Sequence, residues 1–323
     1  MIRQLKISTV LSKVEGTEGS DAAPAAAEGF FAMLTPPVMQ QDFHRSNVHT
    51  GAGSLLPGVT GARRIEAHVE QLLRGAGAAY SASVKPKADA LLRAGGFAAA
   101  GSFGVGTEKW DYTLRSTAFE SFSTYLYVAG DGTSTVLHKL LGSRCLPQLK
   151  FPLGEQARLI AELRAVWTDP ADAALVVPTG EVTIQYPVML ASALQISTEN
   201  FAAKHAEITL DPGRRIEPRQ DATAANGYAG MEMVADRAPT LTFEAEATLE
   251  GGFPFWAKRK AGTQMDCSFQ CGTAQYNRVK VVIPVMQFEG LEYGDRNGIP
   301  IYRATCLLTD PAGGNAEVTV TFD

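Results

Sequence analysis

The chain has 323 residues, of which 45% are hydrophobic and 20% charged, a balance typical of a folded protein with a sizeable core. Its formal net charge of -5 at pH 7 excludes an overall positive charge that would bind nucleic acid. No apolar run reaches the roughly 18–20 residues of a membrane helix, and the N-terminus lacks the apolar core of a signal peptide, so we expect no membrane insertion.

Strand patterns dominate the first half of the chain. A small, polar stretch over residues 15–27 predicts an arm or loop, and a glycine-rich run over residues 51–61 predicts a long loop. Pro86 before residues 87–94 and Gly95-Gly96 after them predict a helix there. Asp131-Gly132 predicts a hairpin turn. The predicted strands are residues 2–10, 40–50, 63–72, 110–116, 121–129, 133–141, 148–153 and 156–167.

The second half is also rich in strand patterns. Residues 221–230 carry little pattern and separate two groups of predicted strands. These strands are residues 182–187, 193–198, 200–208, 241–249, 265–271, 278–288, 301–309 and 318–322. Frequent glycine and proline fit many turns between short strands.

Two predicted strands alternate clearly between apolar and polar residues. In the first, Ile65, Ala67 and Val69 point one way and Glu66, His68 and Glu70 the other. In the second, the apolar positions are Leu241, Phe243, Ala245, Ala247 and Leu249, and the polar positions are Thr242, Glu244, Glu246 and Thr248. Such strands are typical of a sheet whose second face contacts solvent or another subunit. The unpaired edge strands of such a sheet would need partners.

A weak internal echo links the two halves. Ile65-Glu-Ala-His-Val resembles Phe243-Glu-Ala-Glu-Ala, and a strand pattern runs into Thr-Asp-Pro-Ala at both Thr168 and Thr309. The echo arises either from a duplicated β unit or from chance in a chain rich in alanine and threonine. Duplication predicts one β domain with an N-terminal arm over residues 1–175 and a second over residues 176–323. The alternative is one β-sandwich with a large insertion.

The sequence offers little catalytic or metal-binding chemistry. It lacks the phosphate-loop, GxSxG and HExxH motifs. Cys267 and Cys271 lie four residues apart in a predicted strand, roughly 13 Å along it, which is too far to share one zinc ion. His44 and His49 lack a third ligand nearby. We therefore expect no enzyme activity, no catalytic or metal-binding residues and no cofactor, and buried, reduced cysteines.

Several segments in a fixed order resemble the tail tube proteins, or major tail proteins, of long-tailed bacteriophages. They are the polar run from Val14 to Pro24, Arg64-Ile-Glu-Ala-His-Val, the stretch from Pro86 to Phe97, the hairpin at Asp131-Gly132 with Leu141-Gly-Ser-Arg-Cys, Pro152-Leu-Gly-Glu before the strand ending at Trp167, Ile283-Pro-Val-Met-Gln-Phe and Asp295-Arg-Asn-Gly-Ile-Pro. The order of these motifs carries the resemblance, which spans most of the chain.

The resemblance implies a mainly β fold: a tail-tube-type antiparallel β-sandwich or barrel with a flanking short helix and long loops, here as two tube-like halves. It implies a structural virion protein that self-assembles into stacked rings, six single-domain or three duplicated subunits per ring, forming the hollow tail tube. Its partners would be further copies of itself, the tape-measure protein, and the tail tip and tail terminator proteins. DNA would pass through the lumen without specific binding. Such a tube would be assembled in the host bacterial cytoplasm and reside in the virion tail.

The resemblance also suggests roles for particular residues. The polar positions of the two alternating strands, Glu66, His68, Glu70, Thr242, Glu244 and Glu246, are candidates for facing the lumen, where glutamates could repel DNA. Candidates for contacts between subunits or rings are Glu15, Glu18 and Asp21 in the arm and the short basic clusters Arg63, Arg64, Lys258, Arg259 and Lys260. The alternatives are a β-sandwich carbohydrate-binding or adhesin module and a glycan-active enzyme, although the three tryptophans, Trp110, Trp167 and Trp256, are spread widely.

Overall fold

The computed structural model describes residues 6–46, 56–131, 133–179, 185–196, 201–310 and 312–323. Within these ranges the chain is mainly β, as predicted, and all pairings between its strands are antiparallel. No helix in the described ranges is long and apolar enough to cross a membrane.

Ten strands and one α-helix lie in the described residues of the first half. They are β1 (Thr9–Val14), β2 (Gly29–Phe30), β3 (Ala32–Ser46), β4 (Leu56–Leu72), α1 (Asp89–Ala94), β5 (Phe97–Ser102), β6 (Lys109–Leu114), β7 (Phe122–Val128), β8 (Ser134–Pro152), β9 (Arg158–Val166) and β10 (Ala171–Ala174). A single 3-10 turn over Ala26–Glu28 precedes β2.

The second half, over the ranges that the structure describes, also contains ten strands and one α-helix. They are β11 (Leu194–Ile196), β12 (Phe201–Ala203), β13 (His205–Asp211), β14 (Ile216–Gln220), β15 (Tyr228–Met233), β16 (Thr240–Glu246), α2 (Phe255–Ala261), β17 (Met265–Cys271), β18 (Val279–Arg296), β19 (Ile299–Leu308) and β20 (Thr319–Phe322).

The two halves repeat the same set of strand pairings. In the first half β1 pairs with β2 and β7, β3 with β4, β4 with β9, and β8 with β7, β9 and β10. In the second half β11 pairs with β12 and β17, β13 with β16, β16 with β19, and β18 with β17, β19 and β20. We call β1–β10 the first unit and β11–β20 the second unit; α1 and α2 follow equivalent strands, β4 and β16.

Each unit carries one hairpin that the other lacks. In the first unit β5 pairs with β6, and β6 continues the second unit's sheet by pairing with β20. In the second unit β14 pairs with β15 in the connection between β13 and β16. The β5–β6 hairpin thus adds a second link between the units, and it lies between Ile65 and Thr168, so it lengthens that stretch relative to the one between Phe243 and Thr309.

One continuous eight-stranded sheet joins the units, in the order β3-β4-β9-β8-β13-β16-β19-β18. Its central junction is the pairing of β8 with β13, where Leu149 lies opposite Leu210 and Phe151 opposite Ile208. All four side chains are fully buried, because one face of this sheet covers the main core. The junction therefore makes the two units one packed body.

Most predicted elements are confirmed, with several corrections. Residues 133–141 and 148–153 are parts of one strand, β8, and residues 56–61 belong to β4 rather than to a loop. The strand predicted at 241–249 ends at Glu246, and Leu249 is 87% exposed. Helix α2 was not predicted. The predictions at 2–5, 47–55, Gly132, 182–184 and 197–200 lie outside the described residues. In the strands predicted at 2–10 and 182–187, residues 6–8 and 185–187 are not strand, and the first strand begins at Thr9.

Candidate assembly surface

The six lumen candidates lie on one face of the eight-stranded sheet. Ile65, Ala67 and Val69 of β4 point into the core, so Glu66, His68 and Glu70 point to the opposite face. The register of the pairings between β4, β9, β8, β13 and β16 shows that Thr242, Glu244 and Glu246 of β16 lie on the same face. The predicted alternation of both strands up to Glu246 is confirmed, and we call this surface the polar face.

The polar face carries charges of both signs. Glu66 lies 3.3 Å from Arg64, and Glu70 lies 3.1 Å from Arg158. On the second unit, Glu246 lies 3.4 Å from Lys204. Arginine and lysine side chains therefore offset these glutamates within the chain, and repulsion of DNA by this face stays a prediction.

Glu244 has the strongest of these pairings. It lies 2.9 Å from Arg303 and 3.2 Å from Arg296. Partial burial opposes ionisation of Glu244, but the hydrogen bonds from Arg303 and Arg296 outweigh it and hold the pKa of the carboxyl below its usual range. The carboxylate is consequently ionised at neutral pH.

The inserted hairpin of β14 and β15 covers part of the polar face in the first unit. Arg144 donates to the carbonyl oxygen of Met231 at 3.1 Å, and Arg164 donates to that of Ile216 at 3.3 Å. Ile216, Met231 and Met233 pack against Leu146, Val166 and Phe119. The β14–β15 hairpin therefore covers the polar face around the paired residues Arg144 and Arg164, whereas His68 on the same face is exposed.

The basic pair Arg63 and Arg64 is engaged within the chain. Arg63 donates both its backbone N–H and its Nε to Asn226, at 3.0 and 2.8 Å, which ties β4 to the β14–β15 connection. Arg64 pairs with Glu66, as above. Both side chains are half-buried, and their role in contacts between subunits stays a prediction.

Glu15 in the polar arm is a buried structural residue. It is 8% exposed and accepts hydrogen bonds from the hydroxyls of Ser121 and Ser123, at 2.6 and 2.7 Å, and from the N–H groups of Gly19 and Gly142, both at 2.8 Å. This burial corrects the expectation that Glu15 contacts another subunit, because its acceptor positions are filled by donors of its own chain.

The rest of the arm is also bound to the first unit. Glu18 lies 2.9 Å from the buried Arg144. Asp21 accepts from the Tyr125 hydroxyl and pairs with Lys139 at 2.9 Å. Burial opposes ionisation of Asp21, but the Tyr125 and Lys139 hydrogen bonds outweigh it and lower the pKa of its carboxyl. Glu18 and Asp21 remain partly exposed, so their contact with a second copy stays a prediction.

The second basic cluster lies on a helix. Lys258, Arg259 and Lys260 form the last turn of α2, where positive charge suits the helix C-terminus. The Trp256 ring packs at 5.4 Å from Tyr293, and Tyr293 lies 5.1 Å from Tyr302, measured between ring centroids. Arg259 and Lys260 are exposed, whereas Trp256 is half-buried. This is an exposed aromatic and basic surface beside the end of β18.

Exposed apolar side chains concentrate on the β3–β4 hairpin, a feature that the sequence patterns did not indicate. Those exposed on it are Met33 at 56%, Val38 at 54%, Met39 at 42%, Phe43 at 61%, Leu56 at 49% and Val59 at 67%. Large apolar side chains that stay exposed along one hairpin are typical of a surface for contact with another protein. The signal available in the sequence was Met33-Leu34 and Val38-Met39, apolar pairs that would fill both faces of a strand.

The thiol groups offer no reactive site. Cys145, Cys267, Cys271 and Cys306 are buried and free of disulfides, as expected. Burial raises the pKa of Cys271 to about 11 and raises those of the other three thiols further. No group of three or more His, Cys, Asp or Glu side chains among the described residues has the arrangement to hold a metal ion.

Two comparisons with known proteins found no match for this chain. No protein-family model matches the chain. No curated protein matches it either.

Proposed function

We propose that this chain is a structural subunit that self-assembles into rings, and that the rings stack to form the tail tube of a long-tailed bacteriophage. One observation carries the proposal: a single chain repeats seven strand pairings and joins both units through one eight-stranded sheet. Among the described residues, β3 and residues 288–296 of β18, at the two outer edges of this sheet, pair on one side only. A sheet built from repeated units is continued by adding more units, and closure into a barrel removes its edges.

The resemblance of its sequence motifs to tail tube proteins is the reason for proposing this particular assembly. Three chains, each with two tube-like units, would give a ring with pseudo-sixfold symmetry. The tape-measure protein would fill the lumen, the tail tip and tail terminator proteins would bind the two ends, and DNA would pass through without specific binding. The tube would be assembled in the bacterial cytoplasm and function in the virion tail. The mixed charge of the polar face is compatible with DNA transit, because arginines already paired with carboxylates are poor phosphate ligands.

Negative-stain electron microscopy of the purified chain over a range of concentrations tests the proposal. We expect hollow tubes or stacked rings with six-lobed end views. Mass measurement of single rings should give three times the chain mass of 34.5 kDa. Monomers at every concentration, together with binding to polysaccharides through the surface around Trp256, would instead favour a carbohydrate-binding module.

A further inference from the structure

A cavity of about 600 Å³ lies beside helix α1 in the first unit. Its wall is formed by the end of β1, the 3-10 turn before β2, the segment between β4 and α1, the helix itself and Thr179. Cavities that bind small molecules have volumes of about 300–1,000 Å³. The cavity is therefore large enough to hold a small organic molecule.

The charges that line this cavity are mostly positive. Among the described residues, its cationic side chains are Lys13, Arg74, Lys85, Lys87 and Arg93, and its carboxylates are Glu28 and Asp89. The chain as a whole has the opposite balance, with 34 acidic and 29 basic side chains. A cleft lined by an excess of one charge raises the local concentration of ligands of the other sign. The cavity therefore favours an anion.

Both carboxylates of the cavity have partners nearer than its lysines. Asp89 accepts a hydrogen bond from the Tyr112 hydroxyl at 2.8 Å and lies 3.4 Å from Arg93. Glu28 accepts a hydrogen bond from the backbone N–H of Ala25 at 2.9 Å. These partners stabilise the two carboxylates in place, so that neither depends on a lysine for its nearest contact.

Lys13 and Lys85 keep donors for a ligand. The Nζ of Lys13 lies 3.7 Å from Glu28, and the Nζ of Lys85 lies 3.6 Å from Asp89, and both distances exceed that of a hydrogen bond. The Lys85 ammonium lies over the Trp110 ring, 4.7 Å from its centroid, which favours one position of this side chain. Because an ammonium group has three N–H donors, each lysine can donate to an anion.

Apolar side chains complete the lining of the cavity. They include Val14, Val84, Pro86 and Ala90. Such side chains can pack against the carbon atoms of an organic molecule while the lysines bind its charged groups. We propose that the cavity binds a small organic anion that carries two or more negative charges on phosphate or carboxylate groups, with these groups bound by Lys13 and Lys85.

The inference goes beyond the proposed function and does not depend on it. Neither the lumen candidates nor the candidates for contacts between subunits line this cavity. Binding is measured on the dilute, unassembled chain, whereas the proposed function is tested by assembly at high concentration. The two can therefore fail separately.

Isothermal titration calorimetry of the dilute chain tests the site with pyrophosphate, citrate and magnesium-free ATP, and with adenosine as the uncharged control. We expect one binding site per chain for the anions, no binding of adenosine, and weaker binding as the salt concentration rises. Binding of pyrophosphate and ATP without citrate would assign phosphate as the ligand group. Binding of citrate without the other two would assign carboxylate.

Lysine variants locate the site. Lys13→Gln and Lys85→Gln should each weaken binding about tenfold, because each removes a charge-assisted hydrogen bond to the anion. Lys204→Gln is the matched control, because the Lys204 side chain is 80% exposed and does not line the cavity. It should bind as the wild type does. Circular dichroism and thermal unfolding check that the three variants are folded.

Three outcomes overturn the inference. They are absence of saturable binding for all three anions, unchanged affinity in both cavity variants, and an equal loss of affinity in Lys204→Gln. Binding of a hexaglutamate peptide with no binding of the three anions would also overturn it, because the ligand would then be a protein segment.

Lysine acylation of the wild-type chain gives a second measurement that needs no variant to fold. The side chains of Lys13 and Lys85 are 45% and 30% exposed, so a water-soluble succinimidyl ester can reach both, and mass spectrometry reads each site. ATP at ten times its Kd should slow labelling of both lysines about tenfold, following the factor 1 + [L]/Kd, and leave Lys204 unchanged. Labelling of Lys13 and Lys85 at the same rate with and without ATP, or equal protection of Lys204, contradicts the inference.

Discussion

Glu66 and Glu244 occupy equivalent positions in the two units, each directly opposite an arginine that is followed by alanine. Glu66 lies across from Arg164 on β9, and Glu244 lies across from Arg303 on β19. The pairs differ in closeness, because the Arg164–Glu66 distance is 4.0 Å and the Arg303–Glu244 distance is 2.9 Å. The same charge pair thus recurs on the same face of the same repeated strands.

Replacing Glu244 with Gln should lower the free energy of unfolding more than replacing Glu66 with Gln. Each loss should be about 0.2–1 kcal/mol, the range of partly exposed ion pairs. The folded-state pKa of Glu244 is depressed, so its contribution is present above the unfolded-state pKa and is lost as pH falls through the folded-state pKa. Urea unfolding of dilute monomer at neutral pH and at pH values below the usual range of a glutamate measures the difference. An equal penalty for Glu244→Gln at both pH values would show that the charge is not responsible.

Glu15→Gln should destabilise the first unit strongly. The amide nitrogen would replace one carboxylate oxygen and face either the donors of Ser121 and Gly19 or those of Ser123 and Gly142. A buried hydrogen-bonding mismatch of this kind costs about 1–3 kcal/mol. Thermal unfolding of the variant measures the loss.

Glu207→Gln is the matched control for this substitution, because Glu207 is an exposed carboxylate on β13. It should change stability by less than about 0.5 kcal/mol. A Glu15→Gln protein as stable as this control would contradict the structural role assigned to the buried carboxylate.

The local part of this fold could be predicted from the sequence because it depends on neighbouring residues. The alternation of apolar and polar residues predicted that Glu66 and Glu244 lie on polar faces, because the side-chain period of a strand depends only on neighbouring residues. Pro86 and Gly95-Gly96 predicted the ends of α1 for the same reason. The Glu-Ala echo pointed to repetition. The pairings that make the repeat visible connect strands far apart in the chain, and no local pattern reports them.

The remaining features depended on long-range packing. Glu15 is buried because Ser121, Ser123 and Gly142 all donate hydrogen bonds to its carboxylate. The polar residues next to Glu15 in the sequence indicated an exposed arm instead. Pro254 at the N-terminus of α2 offers no capping side chain, and the Trp256 N–H donates instead to the Glu250 carboxylate, four residues before Pro254. Phe253 and Phe255 pack against Phe201 at the start of this helix. The positions of β3 and β18 at the outer edges depend on the order of strands in the sheet. That order is set by pairings between distant segments, which no local sequence pattern predicts.

Phe151→Ala should destabilise both units together. The Phe151 ring is fully buried at the junction of β8 with β13 and packs edge-on against Phe269 with ring centroids 4.9 Å apart. Removing a buried phenylalanine ring costs about 3–5 kcal/mol. We expect one unfolding transition in the wild type, shifted to lower urea in the variant. Phe31→Ala is the control, because that ring is 40% exposed. Two separate transitions in the wild type would contradict a single packed body.

The four thiols should react with a thiol reagent at pH 8 only when the chain unfolds. With the pKa of Cys271 raised to about 11, about one molecule in a thousand carries its thiolate at that pH, and burial also excludes the reagent. All four should react within seconds in strong denaturant. Val105→Cys supplies the positive control, because Val105 is fully exposed and its replacement should add one fast-reacting thiol to the folded protein. A native thiol that reacts as fast as this added one would contradict the burial of the cysteines, and it would reopen the Cys267–Cys271 pair as a reactive site.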